Sequence, residues 1–205
     1  MGRDAAKNEA QRQRRRETIL QGALELFAER GLAATKIADI AKRTGMSMGL
    51  CYRYFPSKDA LFVFLLNDAF DRLEEACRRL EEMALDPAAK LAFALAGLVE
   101  GLRDDPDAAR YHVVIAQAQL SQAMPLEARE LLARRAKAPY EVIARIVAEG
   151  QREGTVCAGE PRQLATLFWT TIKGLALHRA AWGPDTLPPS TLIEPLFLIS
   201  KSGAL

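Results

Sequence analysis

Gly45-Met46-Ser47-Met48-Gly49 has the G-x-S-x-G pattern of a nucleophile elbow, and His178 with many carboxylates follows in triad order. That arrangement would attack an ester carbonyl through a hydroxyl activated by imidazole. The elbow, however, requires a strand ahead of the serine and a parallel sheet around it. Here the preceding residues carry Ala41 and Gly45 at A-x-x-x-G spacing on a helical pattern, and no segment shows period-2 alternation bounded by turn signals. Hydrolysis, and enzymatic activity in general, is therefore not expected. The three cysteines, Cys51, Cys77 and Cys157, are odd in number and match neither a zinc spacing nor a disulfide framework. They read as reduced thiols, and the sequence calls for no metal and no cofactor.

A different chemistry fits the same segment. Two short helices, a glycine turn and a small residue at their closest approach define a helix-turn-helix, whose second helix presents side chains to base edges in the major groove. Ala41 and Gly45 supply the approach and the turn, Ile40 and Met46 are apolar, and Cys51 and Tyr54 fall on the inward side of the second helix. Ser47, Met48, Gly49, Leu50, Tyr52 and Arg53 are left on the other side. Charge agrees: residues 1 to 60 hold 12 Lys/Arg against 7 Asp/Glu, whereas the rest of the chain holds 16 against 19, so only the first part suits a polyanion.

The elements that position this motif are helical throughout. Residues 1–14 lack an apolar face and read as a basic flexible arm. A first helix from about Arg15 to Arg30 buries Ile19, Leu20, Ala23, Leu24 and Phe27 and stops at Gly31. A second runs from Lys36 to Thr44 behind Thr35 as N-cap, and a third from Ser47 to Phe55; Pro56 ends it and Ser57 caps a fourth from Lys58 to Met83. Further on, acid-proline pairs mark helix starts: Asp86-Pro87 to Arg103, Asp105-Pro106 to Ala123, and Glu160-Pro161 to Trp182. Between them one helix spans Pro125 to Glu153, kinked or divided at Pro139. After the loop from Gly183 to Pro189, a last helix is expected over Ser190 to Ser200. The expectation is an all-α chain of nine helices without internal repeats, with residues 15–60 as the helix-turn-helix domain and 61–205 as a ligand-binding and dimerisation domain. With no apolar run near the roughly 18 residues of a spanning helix, and no signal-like stretch, the expected location is the cytoplasm.

The stretch from Arg15 to Leu66 resembles the DNA-binding domain of the TetR family of bacterial regulators. The resemblance is carried by Ala23-Leu24-Glu25-Leu26-Phe27, Gly31, Thr35, Ile37-Ala38, Ile40-Ala41, Gly45-Met46-Ser47, Gly49, Tyr52-Arg53-Tyr54-Phe55 and Lys58. It implies an all-α homodimer with a helix-turn-helix reader and a divergent effector domain. By that resemblance Thr35 and Lys36 meet a phosphate at a helix start, Tyr52, Tyr54 and Lys58 hold further phosphates, and Ser47, Met48, Gly49, Leu50 and Arg53 face the bases, Arg53 as a guanine contact. Arg12, Arg14, Arg15 and Arg16 would enter the minor groove as an arm. Met48 and Leu50 depart from the polar and small residues common at these positions and suit thymine methyl groups. Cys51 stands where Leu or Ile is usual, a buried thiol or a redox switch.

In the later helices the apolar stripe from Gln163 to Trp182 is too wide for one core, so it is expected to meet a second subunit as well. Phe168, Ile172, Gly174 and Leu175, with Leu192, Leu196 and Phe197 of the last helix, are the expected dimer contacts. Two-fold symmetry then predicts a pseudo-palindromic operator with readers ~34 to 36 Å apart. Phe70, Tyr111, His112, Gln119, Tyr140, Trp169, Lys173 and His178 are the candidate pocket residues, an aromatic set with few charges that suits a small, mostly apolar or aromatic effector. The expected function is a ligand-released repressor. A DNA-bound protein that recruits a protein partner and senses no small molecule is the alternative.

Overall fold

The computed structural model describes residues 2–121 and 124–199. Among them are nine α-helices: α1 (Gly2–Ala34), α2 (Ile37–Thr44), α3 (Met48–Tyr54), α4 (Lys58–Glu82), α5 (Pro87–Asp104), α6 (Pro106–Leu120), α7 (Leu126–Arg135), α8 (Ala138–Arg152) and α9 (Pro161–Trp182). Three short 3-10 turns follow, at Pro184–Thr186, Ser190–Leu192 and Glu194–Leu196. The expected ends of two helices, Ala123 and Ser200, lie outside the described residues.

The helix boundaries follow from caps and prolines. Carboxylates of Asp86 and Glu160 each accept a backbone N–H three residues on, from Ala89 and Gln163 at 2.8 Å, with proline in the first turn behind them. Gly45 ends α2 in the left-handed conformation, φ 67° and ψ 22°, which a residue with a Cβ adopts only with strain. The stretch from Pro125 to Glu153 divides in two, and Pro139 sits in the first turn of α8, where its missing N–H costs nothing.

Two sequence expectations change. The segment expected as a flexible arm is helical from Gly2 and continuous with α1, which breaks only at Gly31, φ 76°. Its residues are good helix formers and are joined along the helix: Gln13 donates to Glu17 at 2.8 Å, and Arg12 faces Glu9. Conversely, no α-helix forms over 190–199. Pro195 falls inside that stretch and lacks the N–H a helix needs, so the chain takes 3-10 turns and an isolated antiparallel bridge between Val156 and Leu198.

The chain divides into two compact units, residues 1–68 with 114–131, and residues 69–113 with 132–205. α4, α6 and α7 each contribute to both. In the first unit Ile19, Ala23, Leu24 and Phe27 of α1 are buried with Ile40 and Ala41 of α2, Cys51 of α3, and Leu61, Phe62, Leu65 and Leu66 of α4. The Phe27 and Phe62 rings meet edge to face at 5.4 Å. Gly22 lets α2 approach α1: a Cβ there would collide with Thr44 Cγ2. The second unit has its own core, in which α8 and α9 pack on each other and on α5 around Leu91, Leu95, Ile143, Ile146, Phe168, Ile172 and Phe197.

Candidate nucleic-acid interface and effector cleft

α3 has only seven residues, too few to persist alone, so its position is set by anchors. Ser47 caps its start, the hydroxyl accepting from Leu50 N–H at 3.2 Å, and Phe55 N–H closes its end on the Cys51 carbonyl at 2.9 Å. Cys51 is its one buried residue, and burial raises that thiol's pKa, so it packs as an inert small hydrophobe. The serine of the G-x-S-x-G pattern is thus a helix cap with no strand before it, and His178 is an exposed residue of α9. Opposite Cys51, α3 presents Met48, 47% exposed, Tyr52, 49% exposed, Gly49 and Arg53, with Leu50 and Tyr54 half-buried at the edges. Lys36 is exposed at the start of α2, its N–H bonded to the Asp39 carboxylate at 3.0 Å.

Two expected phosphate contacts are internal instead. Thr35 is fully buried, and its hydroxyl donates to the Gly31 carbonyl at 2.8 Å; Lys36, not Thr35, is the cap of α2. The Lys58 ammonium donates to the carbonyls of Leu32, Ala33 and Thr35 at 2.9, 3.3 and 3.1 Å. It closes the C-terminal end of α1, where orphan carbonyls and the negative end of the helix dipole suit a cation. Tyr54 is half-buried at the end of α3, while Tyr52 stays accessible. Of the arginines expected in an arm, Arg16 lies 4.1 Å over the Phe64 ring, and Arg14 is exposed on the helix, its carbonyl accepting from Thr18. Arg15, Arg12 and Arg53 line a common cleft.

In the second unit a cleft of about 250 Å³ opens between α4, α5, α8 and α9. Leu73, Ala76, Cys77 and Leu80 of α4, Phe93, Ala94, Gly97 and Leu98 of α5, Ile143 of α8, and Phe168 and Trp169 of α9 line it. Its two heteroatoms are quiet: Trp169 Nε1 already donates to the Pro139 carbonyl at 3.1 Å, and burial pushes the Cys77 thiol up to about 11, with Glu81 and Glu74 adding to the shift. Of the expected pocket residues only Trp169 lines this cleft. Phe70 is buried under Arg135, 5.6 Å from its ring, and Tyr111 has Arg72 at 5.7 Å. His112, Lys173 and Tyr140 form a polar group: Lys173 Nζ is 2.9 Å from Tyr140 Oη, and His112 is held neutral, its pKa lowered to about 4 by burial and then by Lys173. Gln119 and His178 are exposed. The cleft residues on α4 and α5 escaped the sequence reading because it sought aromatic and polar groups; their signal was plain apolar periodicity.

The expected dimer contacts also separate. Phe168, Ile172 and Phe197 are fully buried in the protomer's own core and have no surface left for a partner, a correction to the sequence expectation. Leu175 packs against that core. Gly174, Leu192 and Leu196 are exposed, and the exposed line of α9 continues through Leu167, Thr170, Leu177 and Ala181 to Trp182.

A capped, exposed helix behind a glycine turn, packed on two further helices, is the geometry of a helix-turn-helix. Residues 19–64 match the family described as bacterial regulatory proteins, tetR family. Over 141 residues the chain is 29% identical to the HTH-type transcriptional repressor KstR2 of Mycolicibacterium smegmatis, covering 69% of this chain and 67% of that protein. Against other curated relatives it spans 31% to 49% of their length. The MbdR regulator from Azoarcus sp. CIB superposes with a TM-score of 0.74 at 23% identity, over 88% of this chain and 93% of that one. The ketosteroid transcriptional regulator KstR2 of Mycobacterium tuberculosis does so with 0.72 at 21%, over 88% and 89%. The segment from residue 19 to 64 is thus a DNA-binding domain of the tetR type, and the whole chain shares the fold of these regulators.

Proposed function

We propose that the protein is a homodimeric repressor that binds a pseudo-palindromic operator and releases it when a small apolar effector enters the cleft of the second unit. The observation that carries the DNA reading is the exposed face of α3, held by caps at both ends, in the unit that concentrates positive charge. Met48, Gly49, Leu50 and Tyr52 are the groups offered to base edges, with Met48 and Leu50 suited to thymine methyls. Ser47 serves the helix start, and Lys36 at the N-terminal end of α2 is placed for a phosphate.

The effector class follows from the cleft lining. Without an unsatisfied polar group, the cleft rewards hydrocarbon and penalises a buried charge. Its volume lies just below the roughly 300 to 1,000 Å³ of typical ligand sites, so a short acyl chain or a small ring system fits best. The ketosteroid regulator of the same fold bears a name that points to ligands of related character. α4 lines the cleft with Leu73, Cys77 and Leu80 and, further towards its N-terminus, sends Leu61, Leu65 and Leu66 into the core beneath the reader. Displacing α4 therefore moves the reader, and the effector acts by favouring the displaced state.

For the dimer, Gln163, Leu167, Thr170, Gly174, Leu177 and Ala181 recur at alternating spacings of four and three, the pattern of a helix seam, and all are exposed. A second copy of the same face completes a four-helix contact. Selection of duplexes from a random pool tests the reader: inverted half-sites about one DNA turn apart support it, and recovery of no common sequence overturns it. For the effector, medium-chain fatty acids and small aromatics are titrated against the operator complex. Gly97→Leu, at a position with open space around its Cα, should fill the cleft and abolish release while sparing operator affinity. If no apolar compound shifts that affinity, the effector reading falls and recruitment of a protein partner takes its place.

A further inference from the structure

Three arginines line one cleft in the first unit. Asn8, Gln11, Arg12 and Arg15 of α1 line it on one side, Arg53 and Tyr54 of α3 on the other, enclosing about 360 Å³. Two other arginines of this unit are already committed. Arg43 bridges Glu25 and Glu29 at 2.9 Å each, and Arg16 is stacked on Phe64. Arg12, by comparison, has Glu9 at 3.9 Å, with both side chains 71% exposed, an arrangement that holds the charge weakly. Arg53 leans along the Tyr54 ring at 5.8 Å, which leaves its N–H fork available.

Three forks, two side-chain amides and a phenol are donors suited to an oxyanion. Because Arg53 and Tyr54 belong to the reading helix itself, the anion that reaches this cleft when α3 meets a duplex is a phosphate of the DNA backbone. We propose that the cleft holds one backbone phosphate at the edge of the major groove, and that the first turns of α1 form a rigid helical rail. Arg53 is then a positioning residue that grips the phosphate and does not read guanine. The rail cannot act as a minor-groove arm, since a helix is about 10 to 12 Å across with its side chains and the minor groove about 6 Å wide. This inference rests on the DNA reading above.

The test uses the full chain with Arg12→Gln and Arg15→Gln combined, helix content checked by circular dichroism, and binding to the selected operator and a scrambled duplex measured across a salt series. The double variant should bind both duplexes about tenfold more weakly, and the slope of log K against log salt should become shallower by about 0.9, the value for one phosphate. Arg53→Gln should weaken both duplexes alike, and Arg53→Lys should restore much of the loss. Unchanged affinity and slope in the double variant overturn the rail. Relaxed selectivity at one base pair in Arg53→Gln returns that residue to base reading and overturns its assignment here. Inorganic phosphate that competes with DNA at constant ionic strength, in the wild type but not in the double variant, supports the assignment, whereas phosphate that binds the wild type without displacing DNA assigns the cleft to a free anion and overturns it. A wild-type protein that does not distinguish the two duplexes defeats the earlier reading, while the salt slopes on the scrambled duplex still decide the cleft.

Discussion

α3 and α9 both show apolar side chains to solvent, but they are held in different ways. α3 is seven residues long, buries one of them, and depends on its neighbours: the Ser47 cap, the Gly45 turn and the packing of α2 on α1. α9 has 22 residues and buries Ala165, Phe168, Trp169, Ile172 and Ala176 in the core, so its exposed line from Leu167 to Ala181 is the back of an already stable helix. A reading surface can thus be small and side-chain poor provided that caps and close approaches fix its backbone. An association surface draws on area, and the one proposed for α9 would not weaken the protomer, because the residues facing outward are not those that hold the helix in place.

That contrast can be broken most decisively at α9. Leu167→Arg with Leu177→Arg should leave the protomer folded, convert the dimer to a monomer in sedimentation, and reduce operator affinity by at least ~100-fold, because the second reader loses its effective concentration. A dimer that survives both charges would remove α9 from the interface. Next in size is Lys58→Met, which strips three hydrogen bonds from carbonyls at and just past the end of α1 and should cost about 2 kcal/mol in urea unfolding. Its salt dependence of DNA binding should stay that of the wild type; a slope shallower by ~0.9 with unchanged stability would make Lys58 a phosphate ligand after all.

Gly22→Ala sharpens the point about close approach. Its methyl group would meet Thr44 Cγ2, and overpacking of this kind costs about 1 to 3 kcal/mol. Combining it with Thr44→Ser, which removes the opposing methyl, should recover most of the loss; no recovery means that α1 and α2 do not meet there. The smallest effect belongs to the second unit. His112 is neutral in the folded protein with a pKa lowered to about 4, whereas unfolded histidine titrates near 6.5. The unfolded chain therefore binds the extra proton as pH falls from about 6.5 to about 4, and stability declines across that window. His112→Gln should flatten this part of the pH profile. An unaltered profile would place His112 in water, away from Lys173.

Much of this was legible in local chemistry. The acid-proline pairs start helices because a carboxylate satisfies free N–H groups and proline needs none, a matter of adjacent residues. Gly45 and Ala41 likewise mark a turn in any context that brings two helices together. Thr35 and Lys58 illustrate the limit. Both are polar residues near helix starts, where a phosphate contact is a sound expectation, yet their donors are spent on α1 carbonyls between four and 26 residues away in sequence. Nothing in the pattern of residues states which acceptor a donor reaches.

The amino-acid sequence by itself determined the all-α class, the helix-turn-helix and the fact that α9 has more apolar surface than one core can use, since each rests on periodicity, capping or residues a few positions apart. Only the tertiary structure decided which apolar side of α9 is spent on the core, that Pro195 turns the tail away from a helix, and that the basic segment ahead of Arg15 continues α1. It also decided which arginines are neutralised and which line a common cleft. Burial and charge pairing are properties of groups far apart in the chain, and their partners exist only once the helices have packed.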